Sequence, residues 1–319
     1  MDVSFVGHDG NPDDPIYHIP TSQADHRVLP GTGYEKDTLE DLQLWAWLTA
    51  LAFNQIVSGP VGVRPGTDPP DRILAVDGTE YPLELTVLTV QQLRTRLGGV
   101  RKLARLVHER LHDEPSGFAH LAGRTIVIAA FDLDRALPPG TRRTDVAEQV
   151  VTALREDRGF MGDNLDSNRL AAEGLPTTID LSGGDYGEFA GLKVRAERSA
   201  VSTGDPVTVV GAAQAEFRLI EAQTLVKEII AKKDVPENRI LLISAGAPDS
   251  DGFACPLDFW LFDALWQHGL GGRPHPVHLD CVVLQAWGKP LVAELYRRPG
   301  AALPWPPPTV RRPTSDQPQ

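Results

Sequence analysis

Two cysteines in 319 residues, Cys255 and Cys281, are too few for a disulfide framework. A reducing compartment follows, and the expected location is cytoplasmic. No apolar run approaches the length of a membrane span, so no membrane partner is expected. The first residues show no basic segment followed by an apolar one, and no signal peptide is expected. Basic charge is also scarce: 31 Lys and Arg stand against 43 Asp and Glu, a net charge of −12. That excludes a uniformly basic nucleic-acid binder. Any nucleic-acid contact must come from a local patch. Internal repeats and clear linkers are absent too. The expectation is one α/β unit at 35–298 between an irregular arm at 1–34 and a Pro-rich, disordered tail at 299–319.

What is present is an ordinary globular composition, 41% hydrophobic and 23% charged. The most informative stretch is 67–88. Two short apolar runs flank Asp77 and Gly78, a strong hairpin signal. If those two residues are the whole loop, Val76 faces Thr79 and Asp71 falls opposite Glu84. Facing side chains on paired strands share one side of the sheet. Two carboxylates would then share a site, and Thr86 would lie on the same face. A three-residue loop would shift the register by one and part them. Like charges this close raise one pKa or recruit a cation. Oxygen-only ligands suit Mg²⁺ or Mn²⁺.

Pro70 and Asp71, an apolar strand, a turn, then Glu84, Leu85 and Thr86 in a second apolar strand resemble the PD-(D/E)xK nuclease superfamily. The resemblance covers roughly 35–134. It implies a restriction-endonuclease-like α/β fold: a mixed central sheet flanked by helices, with a core at 35–135 and an elaborated α/β C-terminal half at 136–298. It implies a metal-dependent phosphodiesterase, with Asp71 and Glu84 as metal ligands. The partner would be nucleic acid, DNA favoured over RNA, and a homodimer is left open. The family also places an acid on the preceding helix, for which Glu40 is the first choice and Glu35 the second. The family's lysine, which positions or activates the attacking water, is replaced here by Thr86. An active protein must therefore bring a cation from elsewhere. Arg94, Arg101 and Lys102 are nearest in sequence, and Lys227 is more distant. Lys102 or Arg101 is expected to reach Glu84.

Along the chain, a helix is expected from Asp37 or Thr38, with Leu44, Trp47, Leu48 and Leu51 as its apolar stripe. After the hairpin, Leu93, Leu97, Val100, Ala104, Val107 and Leu111 recur at three and four over 90–112, a clean amphipathic helix. Its other faces carry Arg94, Arg96, Arg101, Lys102, Arg105 and Arg110, the only dense basic cluster. Arg94, Arg101, Lys102 and Arg105 are the candidate phosphate contacts; a solvated helix face is the plainer reading. The strand at 124–133 is expected to join the hairpin in one sheet. Helices are expected at 144–156, 215–233 and 257–268. Strands are expected near 191–198, 206–211 and 239–245, and a closing hairpin at 278–296. Gly183 and Gly184 make no phosphate loop, since no helix with Lys follows.

A competing motif closes the 90–112 helix. His108, Glu109, Arg110, Leu111 and His112 form H-E-x-x-H, which on a helix can hold zinc with Glu as general base. Asp113, Glu114 and Pro115 end the helix at once, so the second histidine sits on its last turn. A third ligand is not obvious, although His120 or a later acid could serve. His275 and His278 are weak metal candidates, and His8, His18 and His26 lack metal-ligand spacing. Three readings stay open: the Mg²⁺ nuclease, a zinc hydrolase, and a nuclease-like fold that only binds.

Overall fold

The hairpin forms in the two-residue register. Asp77 and Gly78 take φ values of 50° and 79°, which is the type I′ geometry that matches the twist of paired strands. Val76 pairs with Thr79 and Arg72 with Leu83, the last pair of the ladder on that side. The structure is a computed structural model. It describes residues 6–7, 16–19, 26–54, 61–67, 69–130, 141–156, 178–180, 192–198, 207–213 and 215–305.

In chain order these form β1 (Val6–Gly7), β2 (Ile16–Ile19), β3 (His26–Arg27), α1 (Lys36–Phe53), β4 (Val61–Pro65), β5 (Arg72–Val76), β6 (Thr79–Leu88) and α2 (Gln91–Asp113). A short 3₁₀ segment follows at Pro115–Leu121. Then come β7 (Arg124–Ala130), α3 (Thr141–Glu156), β8 (Thr178–Asp180), β9 (Leu192–Arg198), β10 (Val207–Ala213), β11 (Ala215–Arg218) and α4 (Leu219–Lys233). The chain ends with β12 (Ile240–Ala245), β13 (Phe253–Ala254), α5 (Pro256–His268), β14 (Cys281–Ala286) and β15 (Val292–Arg297). Among the described residues, no helix is long and apolar enough to cross a membrane.

The chain divides into two units. The hairpin unit takes Phe5–Tyr17, His26–Thr89 and Phe217–Gln319; the inserted unit takes Met1–Ser4, His18–Asp25 and Val90–Glu216. The hairpin unit holds a mixed sheet of six strands in the order β15-β14-β12-β6-β5-β4. β4, β5 and β6 form an antiparallel meander. β6, β12 and β14 run parallel, and β15 returns antiparallel. Every residue of β12 and β14 is buried, as parallel strands covered on both faces require. On one face Leu44, Trp47 and Leu51 of α1 pack on Leu74, Leu83, Leu85, Ile240 and Leu242. On the other, α5 packs on β6, β12 and β14, with α4 beside it.

The inserted unit has its own sheet, β10-β7-β9-β8. β7 runs parallel to β10 and antiparallel to β9. α2 packs on β10 and β7 with its predicted apolar stripe, every member of which is buried. The approach is close: a Cβ on Gly211 of β10 would lie 2.9 Å from the backbone of Val100 and of Arg101. One expectation is corrected here. β7 does not join the hairpin's sheet. An apolar run marks a buried strand, but it does not say which sheet receives it. β7's parallel partner lies some eighty positions further along the chain.

Smaller differences concern the ends. Tyr17 stacks on Phe217 with centroids 4.9 Å apart, which docks the arm at that point. The start of the tail is docked too. Trp305 is buried edge-on against Trp47 at 5.2 Å, and its carbonyl accepts a bond from Arg297 Nη1. Residues 306–319, like Gly183 and Gly184, lie outside the described residues.

Candidate active site

Asp71 sits just before β5, where the ladder between β5 and β6 has run out. Its Oδ2 accepts the backbone N–H of Leu85 at 2.9 Å, so the carboxylate takes the place of a strand carbonyl. Its own carbonyl accepts from Gly66 N at 3.0 Å. A Cβ on Gly66 would stand 1.8 Å from the Pro70 carbonyl oxygen, so only glycine lets the chain pass this close to Asp71. Asp71 and Glu84 are both buried. Leu83 and Leu85 point into the α1 core, and strand alternation therefore turns Glu84 to the face that α4 and α5 cover. Thr86, opposite Ile243 in the ladder, shares that face.

The cation at Glu84 is Lys233, the last residue of α4, whose Nζ pairs with Glu84 Oε1. This pair brings together residues 149 positions apart. Two residues C-terminal to Lys233 hold it in place. Asn238 donates from Nδ2 to the Lys233 carbonyl at 3.0 Å. Asp234 accepts the backbone N–H groups of Val277, His278 and Leu279 at 2.5, 2.7 and 3.0 Å. Burial alone would raise the Asp234 carboxyl, but these three donors hold it below its ordinary value.

On the α1 side, Lys36 Nζ lies 3.5 Å from Asp71 Oδ1 and 3.2 Å from Glu40 Oε1. Arg72 is buried and satisfied. It donates to Glu40 Oε2 at 3.0 Å, Asp41 Oδ1 at 2.8 Å, and the carbonyls of Asp71 and Asp37. A buried guanidinium needs such a full set of acceptors. Burial raises the Glu40 carboxyl, and the neighbouring Asp71 raises it further, while Lys36 and Arg72 pull it down; the net direction is up. These groups line a cleft of about 420 Å³ together with Trp45 and Arg64.

Glu40 joins Asp71 through Lys36, and Glu84 pairs with Lys233. The residues that sequence reasoning missed are Lys233, Lys36 and Arg72. Lys36 carried a signal, four residues before Glu40 on one helix. Lys233 carried none beyond its place at a helix end. Lys102, Arg94, Arg101 and Arg105 lie on α2 of the inserted unit, and Arg105 Nε stands 3.6 Å from Glu109.

In the H-E-x-x-H, the rings of His108 and His112 lie 4.2 Å apart by centroid. His112 Nε2 meets the Val207 carbonyl at 3.4 Å, and His120 Nε2 meets the Leu154 carbonyl at 3.0 Å. Those ring nitrogens are turned to backbone oxygens. Among the described residues, no three or more His, Cys, Asp or Glu side chains converge as a metal site. Asp71 and Glu84 are carboxylates of the kind that Mg²⁺ and Mn²⁺ take. These are hard cations that keep several waters and need only one or two carboxylates. No protein-family model, curated protein or solved structure matches the chain.

Proposed function

We propose that the hairpin unit is a metal-dependent nuclease-type phosphodiesterase acting on nucleic acid, with DNA as the favoured substrate. The observation that carries this reading is the Lys233 ammonium on buried Glu84, next in sequence to Leu85, whose N–H the Asp71 carboxylate accepts. The resembled family sets two carboxylates and a cation together, and Asp71, Glu84 and Lys233 would take those places, although position 86 holds threonine. Asp71 and Glu84 would hold Mg²⁺ or Mn²⁺. When bound, the ion supplies charge that lowers the pKa of a water and offsets charge building on the phosphate.

The chain's own groups have separate tasks. The Leu85 N–H fixes the Asp71 carboxylate. Lys233 provides the positive charge that a threonine cannot carry, and its side chain keeps 29% exposure, enough to face a substrate phosphate. Glu40 binds Lys36 and Arg72 and so fixes the α1 wall of the cleft. On the inserted unit, Arg101, Lys102 and Arg105 would contact the phosphate backbone.

The test is cleavage of mixed DNA and RNA with Mg²⁺ or Mn²⁺, with zinc measured on the same sample. Cleavage should fall by about 100-fold or more in Asp71→Ala and in Lys233→Met. A wild type as inert as Asp71→Ala on every substrate would make the chain a binding protein. One equivalent of zinc that is lost in His108→Ala would favour the hydrolase reading.

A further inference from the structure

A second depression shares one wall with the cleft beside Asp71. Trp45 lines both the charged cleft and an apolar groove of about 460 Å³ along α1. Thr49 and Phe53 follow Trp45 on one side of this groove, and Trp287, Lys289 and Pro290 form the other. Asn54 ties the two walls, its Nδ2 donating to the carbonyls of Ala50 at 2.8 Å and Pro290 at 2.9 Å. Trp45 is 59% exposed and Phe53 72%. They are the exposed Trp and Phe rings among the described residues. A large aromatic ring left in water usually marks a binding surface.

Residues 45, 49 and 53 share one helical face, and eight residues of helix rise about 12 Å. That spans several base steps of about 3.4 Å. Cations line both depressions: in the cleft Lys36, which also meets Glu40 and Asp71, and Arg64, which also meets Glu80, and in the groove Lys289, whose Nζ lies 5.1 Å from the Phe259 ring centroid. Rings that stack bases, interleaved with cations that meet phosphates, are how sequence-tolerant single-strand sites are made. A duplex cannot use such a surface, because its base faces are already stacked on one another. A chain of net charge −12 also lacks the charge to hold a duplex by its phosphates alone.

We propose that this groove is a track for an unpaired nucleic-acid strand, which stacks bases on Trp45 and Phe53 and leads the phosphate backbone into the cleft at Asp71. The inference rests on the nuclease reading and names its substrate class as single-stranded. Trp45 lines both the groove and the cleft at Asp71, and this shared wall favours a strand over a protein partner.

The test uses the full chain without divalent metal. Fluorescence anisotropy follows a labelled oligothymidylate and a duplex of equal length. The strand should bind at least about tenfold tighter than the duplex, and Trp45→Ala with Phe53→Ala should remove about tenfold or more of that affinity. Trp45→Tyr should restore stacking, and circular dichroism should show all variants folded, since both side chains lie at the surface. A double variant that binds like wild type, equal binding of the duplex, or no strand binding overturns the track. The two readings separate cleanly. A double variant that still cleaves duplex at the wild-type rate with Mg²⁺ removes the track and leaves the nuclease. Strand binding that depends on Trp45 and Phe53, with no cleavage by wild type, keeps the track and removes the nuclease.

Discussion

Asp234 shows how a residue without chemistry of its own can set the site. It follows Lys233 directly and gathers three backbone N–H groups from 277–279. The loop is thereby pinned to the end of α4, and the ammonium is aimed at Glu84. Its carboxyl lies below its ordinary value in the folded chain: burial works against this, and the three donors outweigh it. A depressed folded-state pKa adds stability above the unfolded value, about 3.9 for Asp. That stability is lost as pH falls through the folded value. Asp234→Asn should therefore cost about 1–2 kcal/mol at neutral pH in urea unfolding. The gap between wild type and variant should close below about pH 4. A gap that persists in acid would show that the charged form is not what the loop recognises. Lys233 itself was not legible. Lysines at the ends of helices are common, and nothing local ties position 233 to position 84.

At the scale of elements, the hairpin was fully legible and its place in the molecule was not. Asp77 and Gly78 between apolar runs specify a two-residue turn, and the turn specifies the register. The pairing from Val76 and Thr79 out to Arg72 and Leu83 follows from counting. β6 is also fixed on its other edge by β12, where Leu83 pairs with Ile240. An extra glycine inserted between Asp77 and Gly78 should therefore slide β5 rather than β6. Asp71 would lose the Leu85 N–H, and Mn²⁺ affinity measured by calorimetry should fall at least about tenfold while circular dichroism stays close to wild type. Unchanged affinity would mean that register does not align the two carboxylates. The apolar stripe of α2 was equally plain, since period and burial coincide. Its partner was not: the same stripe would fit any apolar sheet, and β10, the strand that receives it, lies about a hundred residues on. Trp305 was misjudged for the opposite reason. Prolines around it suggest an open tail, yet one tryptophan that fills a gap beside Trp47 is enough to dock it.

At the scale of the whole molecule, the expected continuous core is interrupted. The strands that carry Asp71 and Glu84 precede position 90, and the helix that carries Lys233 follows position 216. The stretch between them forms a separate unit with its own sheet and its own core. Long insertions of this kind cost little, because loop-closure entropy grows only slowly with length. Hydrophobic patterning along a chain reports elements and cannot report such an interruption. The division has a measurable consequence. Trp45, Trp47, Trp260, Trp266, Trp287 and Trp305 are all six tryptophans of the chain, and all belong to the hairpin unit. Tryptophan emission therefore follows that unit alone, whereas far-ultraviolet circular dichroism follows both. Gly211 is the lever that separates them. Any side chain there meets helix backbone at 2.9 Å, which cannot rotate aside, and overpacking of this kind costs about 1–3 kcal/mol. Gly211→Leu should lower the urea midpoint of a dichroism transition and leave the emission midpoint in place, so that two probes which report one protein cease to coincide. If both midpoints fall together, the two units unfold as one, and the insertion at Val90–Glu216 is part of the hairpin unit's stability rather than a passenger on it.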